Sequence, residues 1–68
     1  MIEISINGDP YKLKNSLNLV DLLKDLKLDP MKVAIERNRE IVPKTTYSMI
    51  TLEQDDQLEI VHFIGGGK

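Results

Sequence analysis

One stretch of this chain, and no other, carries the apolar periodicity of an α-helix. Leu19, Leu22, Leu23 and Leu26 stand at i, i+3, i+4 and i+7 and form a single stripe. Everywhere else the apolar residues alternate with polar ones or run together briefly between turn residues. A helix with one apolar face must bury it against another layer, and here the only layer on offer is a sheet. The stripe therefore reads as core, not as a cofactor surface. Asn18 fits the N-cap with Asp21 at the third helical position, and Leu17 and Leu22 fall at the positions of a hydrophobic staple. Lys24 and Lys27 suit the negative end of the helix dipole. Asp29-Pro30 is the expected stop, because a residue before proline is pushed out of helical geometry.

The strands follow from period-two alternation. Ile2, Ile4 and Ile6 alternate with Glu3 and Ser5, and Tyr11 and Leu13 alternate with Lys12 and Lys14. Between them Asn7-Gly8-Asp9-Pro10 carries the turn chemistry of a tight hairpin. Val33 and Ile35, then Ile41 and Val42, flank the polar turn Glu36-Arg37-Asn38-Arg39-Glu40, where Asn38 suits a left-handed position. Pro43 interrupts, Lys44 to Met49 reads as irregular or a single helical turn, and Glu53-Gln54-Asp55-Asp56 as a charged, solvated turn. Leu58 to Ile64 is apolar enough for a central strand. The order is β-β-α-β-β, with the last strand expected beside the first and parallel to it. That is an α+β fold of the β-grasp, ubiquitin-like kind: a mixed sheet of four to five strands covered by one main helix. Residues 1–64 form the domain and 65–68 a flexible glycine tail.

Composition removes several classes of function. With 68 residues there is one domain with a thin core and no room for a deep substrate cavity, which favours a carrier or binding protein over an enzyme. Cysteine is absent, so disulfides, thiolate metal sites and a cysteine nucleophile are excluded, and the cytoplasm is the expected compartment. Neither a basic leader nor an apolar run of the roughly 20 residues that span a bilayer is present. Nine basic residues are scattered among eleven acidic ones, and Tyr11, Tyr47 and Phe63 form no stacking platform, so nucleic acid is not an expected partner. Nor is a membrane.

Gly65-Gly66-Gly67 is the most informative motif for function. A glycine run loses more entropy on ordering than any other sequence, which argues against packed structure. It also carries no side chains, so a partner's active site can close around it. From Ile64 to Gly67 it reaches about 13 Å when extended. A plain flexible terminus remains the alternative on the tail alone. Alternation in the last strand adds a surface: with Leu58 and Ile60 facing the helix, Val61 and Phe63 face the open side, beside Ile64 and the tail, as an apolar docking patch. The segment around Tyr47 is the alternative cover for that patch. His62 is expected to be packed or at an interface, since a carrier needs no base of its own. Asp55 and Asp56 without further oxygen ligands do not make a metal site.

The chain resembles the ThiS family, the ubiquitin-like sulfur carriers of thiamine biosynthesis. The matching stretches are Leu19-Val20-Asp21-Leu22-Leu23, Val33-Ala34-Ile35-Glu36-Arg37-Asn38 with Glu40-Ile41-Val42-Pro43, and the closing run from Leu58 to Gly67. The resemblance implies that the Gly67 carboxylate is adenylated with ATP and a divalent metal by a ubiquitin-activating-enzyme-like adenylyltransferase. Sulfur from a persulfide-bearing donor protein then displaces AMP to leave a thiocarboxylate, which thiazole synthase consumes. Gly65 and Gly66 would thread the partners' active sites, and the carrier itself would bind no cofactor and catalyse nothing. Two departures stand out. Lys68 converts the Gly67 carboxylate into an amide, so it is either trimmed by a protease or foreign to the mature protein. Asp55-Asp56 stands where the family often has Asp-Gly-Asp, which implies a changed turn. Two other readings stay open: a carrier of the molybdopterin synthase small-subunit type, with the same tail chemistry, and a non-catalytic β-grasp binding module.

Overall fold

The structure is a computed structural model and describes residues 1–62. Five strands, β1 (Ile2–Ile6), β2 (Asp9–Leu13), β3 (Val33–Arg37), β4 (Glu40–Ile41) and β5 (Gln57–His62), and one α-helix, α1 (Leu19–Asp25), follow one another as β1-β2-α1-β3-β4-β5. They build one mixed sheet in the order β2-β1-β5-β3-β4. The last strand lies beside the first and parallel to it, with Ser5 opposite Gln57 and Ile6 opposite Leu58. The remaining pairings are antiparallel. This is the expected β-grasp arrangement, with β5 at the centre.

Each hairpin closes through a two-residue turn whose central residues both have positive φ: Asn7 at 52° with Gly8 at 86°, and Asn38 at 52° with Arg39 at 71°. Asparagine tolerates that region because its short side chain bonds locally. The first turn is tighter than expected, since Asp9 and Pro10 already belong to β2. Pro10 is harmless there, on an edge strand.

Helix α1 begins as its sequence implies. The Asn18 side chain accepts from the Asp21 N–H at 2.8 Å. Its end differs from expectation. The helix stops at Asp25 with Leu26 as C-cap, ahead of Asp29-Pro30. Lys27 takes φ 61°, and the N–H groups of Lys27 and Leu28 return to the carbonyls of Lys24 and Leu23 at 3.1 and 2.9 Å. These two bonds make a Schellman motif with lysine in the usual glycine position. Asp29 instead caps a single 3₁₀ turn, Pro30–Lys32, by accepting from the Met31 N–H.

Leu19, Leu22 and Leu23 of α1 pack onto Ile4, Val33, Ile35 and Leu58 from one face of the sheet, all of them buried. Tyr47 and Leu52, from the connection between β4 and β5, complete the core. That connection contains a second 3₁₀ turn, Lys44–Thr46, within the segment read as irregular. Among the described residues, none of the helical segments lies on the opposite face of the sheet.

Candidate functional site

The site is built around β5, which is gripped from both sides by asparagine side chains. β1 ends one residue short of Asn7, and the Asn7 carboxamide takes over from it. Its Oδ1 accepts from the Ile60 N–H at 2.7 Å and its Nδ2 donates to the Ile60 carbonyl at 3.1 Å. On the other flank the Asn38 N–H donates to the Gln57 carbonyl at 2.7 Å, and its Oδ1 accepts from the Gln57 N–H at 2.9 Å. At Asn7 the side-chain amide imitates a whole peptide group and extends the ladder, whereas at Asn38 the backbone N–H donates and only the side-chain oxygen accepts. The two-residue turns make this possible, because their left-handed geometry presents the asparagine across the sheet.

Asp56, at the entry to β5, overturns the expectation of a solvated turn. It is buried, and its carboxylate accepts from Arg37 Nε at 3.0 Å, Asn38 Nδ2 at 3.1 Å and the Glu53 N–H at 2.9 Å. Burial pushes its pKa up, but the Glu53 N–H, the Asn38 amide and the Arg37 guanidinium outweigh it and hold the carboxyl below its ordinary value. Asp55 holds φ 71°, the conformation glycine adopts most cheaply, so the turn differs from Asp-Gly-Asp in residue type and tolerates an aspartate in a left-handed position. Asp56 was missed because adjacent acidic residues usually signal solvent. The signal that could have found it is the Arg37-Asn38 pair, which the β3–β5 register brings alongside.

Among the named site residues, Val61 lies where expected. It pairs with Ala34 on the open face and is 60% exposed. The segment around Tyr47 does not cover it, since Tyr47 is itself buried in the core. Ile41, 77% exposed, lies on the same face and was not foreseen as part of it. His62 is exposed at the end of β5, opposite Val33, so it is not a packed histidine. Phe63, Ile64, Gly65, Gly66 and Gly67 lie outside the described residues. Among those described, no group of three His, Asp or Glu side chains stands close enough to hold a metal ion, and no helix is long and apolar enough to cross a membrane.

The model of the ThiS family matches residues 4–67 of this chain, from β1 through the last glycine. The chain belongs to the ThiS family. This is the family that the residues of the helix, the second hairpin and the closing run resemble. The sulfur carrier protein ThiS of Bacillus subtilis is 40% identical over 94% of this chain and 98% of its own length. The crystal structure of the thiamine biosynthesis protein ThiS from Geobacter metallireducens superposes with a TM-score of 0.83 at 30% identity, covering 97% of this chain and 100% of that one. A thiazole synthase of Magnetococcus marinus is 45% identical over 98% of this chain, which spans only 21% of that protein's length.

Proposed function

We propose that this chain carries sulfur as a thiocarboxylate on Gly67 and delivers it to a thiazole synthase. The observation that carries the reading is the family match, which runs without a break through the folded body and the glycines to residue 67. The body supports it. It is a small sheet with one naked face and a central strand leading towards the tail.

The chemistry needs a free Gly67 carboxylate, so Lys68 must be absent from the active form. A carboxylate is a poor electrophile until one of its oxygens becomes a leaving group. Attack of that oxygen on the α-phosphorus of ATP forms a P–O bond, expels pyrophosphate and leaves the glycyl adenylate. A persulfide sulfur on a donor protein then attacks the acyl carbon, and AMP departs with its electron pair. A partner thiol cleaves the resulting acyl disulfide, forming a new disulfide on the partner side and releasing the Gly67 thiocarboxylate. An adenylyltransferase of the ubiquitin-activating type would supply the nucleotide, the divalent metal and the oxyanion stabilisation. The carrier contributes a slender reactive end and a docking face that includes Val61, Phe63 and Ile64.

Thiazole synthase is the acceptor favoured by the comparison. In the Magnetococcus marinus protein of that name, the matching segment and the remainder share one polypeptide. Groups joined in one chain meet at effective concentrations of about millimolar, an arrangement suited to successive partners in one transfer.

The test is an intact mass of the chain ending at Gly67 after incubation with the adenylyltransferase, magnesium ATP and a persulfide donor. A gain equal to one oxygen exchanged for sulfur, absent from the chain retaining Lys68, is the expected result. No gain on the species ending at Gly67 refutes the proposal.

A further inference from the structure

Towards its end, β5 is held by different means on its two flanks. β3 runs alongside it to the last described pair, Val33 with His62. β1 does not. Its flank donates two backbone N–H groups to β5, Ser5 to the Asp56 carbonyl at 3.0 Å and Asn7 to the Leu58 carbonyl at 2.8 Å. The chain then turns away through Asn7-Gly8 into β2. In a parallel ladder that continued, the next rung would fall on Ile60. The Asn7 carbonyl would accept its N–H, and the N–H two residues on would serve its carbonyl. Both places are filled by the Asn7 carboxamide, at 2.7 and 3.1 Å. Among the described residues this is the last bond between that flank and β5.

The turn itself does not require an asparagine. Asn7 has φ 52° and is exposed, and glycine adopts that conformation more cheaply. Nor does the core require it, since Ile60 packs there through its own side chain. What asparagine adds is the grip on the Ile60 backbone, seven positions before Gly67. We propose that Asn7 is a positioning residue for the sulfur transfer: its carboxamide fixes the direction in which β5 hands the chain on to Gly67. Without it, β5 beyond Leu58 is the edge of a two-stranded ribbon with β3, and such ribbons twist more than strands held on both flanks. Extended, the seven residues from Ile60 to Gly67 span about 23 Å, so a change of roughly 10° at Ile60 displaces the end by about 4 Å. A misplacement of about 1 Å already slows a reaction severely. The inference rests on the carrier reading and adds a residue to it, one that touches neither nucleotide nor sulfur and acts through β5.

The experiment measures steady-state loading of the chain ending at Gly67 by the adenylyltransferase, with magnesium ATP and a persulfide donor, as carrier concentration is varied. Asn7→Gly keeps the left-handed turn and removes the carboxamide. Its KM stays at the wild-type value, because the body still docks, and its kcat falls roughly tenfold. In the same variant the Ile60 amide loses protection from hydrogen exchange. Asn7→Asp keeps the acceptor for the Ile60 N–H without the donor, and its kcat falls between those of Asn7→Gly and the wild type. Asn18→Ala removes the cap of α1 and so lowers stability with β5 untouched; it loads with wild-type kcat. Wild-type kcat in Asn7→Gly, or a loss carried by KM alone, overturns the inference and leaves the carrier reading in place. So does an equal fall in kcat in Asn18→Ala. Should the glycine variant fail to fold, wild-type kcat in Asn7→Asp overturns the inference instead. A wild type that never gains the mass of sulfur removes the carrier reading, and this inference with it.

Discussion

A single carboxylate, Asp56, ties three elements together: Arg37 at the end of β3, Asn38 in the second turn and the Glu53 N–H in the connection to β5. Replacing it with alanine leaves a part-buried guanidinium, an amide donor and the Glu53 N–H without their acceptor at once. Asp56→Ala should cost on the order of 2 kcal/mol, read as a lower urea midpoint with an unchanged slope. The same residue predicts an acid response. Its folded pKa lies below its unfolded value near 3.8, so its contribution is complete above that value and is lost as pH falls through the folded pKa. Urea midpoints measured downward from neutral pH should therefore hold until about pH 4–5 and then fall, and the fall should shrink in Asp56→Asn. Lys27 works the other way. Its backbone holds φ 61°, a left-handed conformation that costs a residue with a Cβ and that glycine adopts freely. Lys27→Gly should stabilise the chain by about 0.5–1 kcal/mol, seen as a higher melting midpoint.

Among the elements, α1 was the most legible, because amphipathic spacing and capping chemistry are local. Asn18, Leu17 and the leucine stripe locate it without tertiary information. Its stop was misplaced for a local reason too: Asp29-Pro30 is a conspicuous breaker, whereas a lysine in a Schellman turn carries no such mark. The strands were legible as alternation, and the parallel pairing of β1 with β5 followed from covering one sheet with one helix. The register was not, and with it Ile41, Asp56 and the hold of Asn7 on Ile60 stayed hidden, since each depends on which residue faces which across strands. A core of this size leaves α1 little margin. Leu23→Ala should cost about 3 kcal/mol, comparable with the roughly 3–5 kcal/mol available to so small a domain, so thermal melts should show it largely unfolded near 37 °C. Val61→Asp, on the open face, should melt close to the wild type yet bind thiazole synthase more weakly in calorimetric titration, as the docking role proposed for Val61 requires.

Among the described residues the molecule is asymmetric: one sheet face buries the core, and the other leaves Val61 and Ile41 exposed. The body needs only to fold, to present a face and to hold β5 in place. The glycine run drew attention to the tail, but on its own it also reads as a plain flexible terminus. The chemistry proposed for Gly67 came from the family resemblance, and the make-up of the open face had to await the register. Holding β5 through Asn7 brings a vulnerability of its own. Asn7 precedes Gly8, whose backbone nitrogen has no side chain to hinder its cyclisation onto the Asn7 carboxamide. Loss of ammonia and ring opening would leave a carboxylate where Nδ2 now donates to the Ile60 carbonyl, turning an attraction into a repulsion. Aged preparations of this carrier should loosen at the seam between first and last strands before they loosen anywhere else.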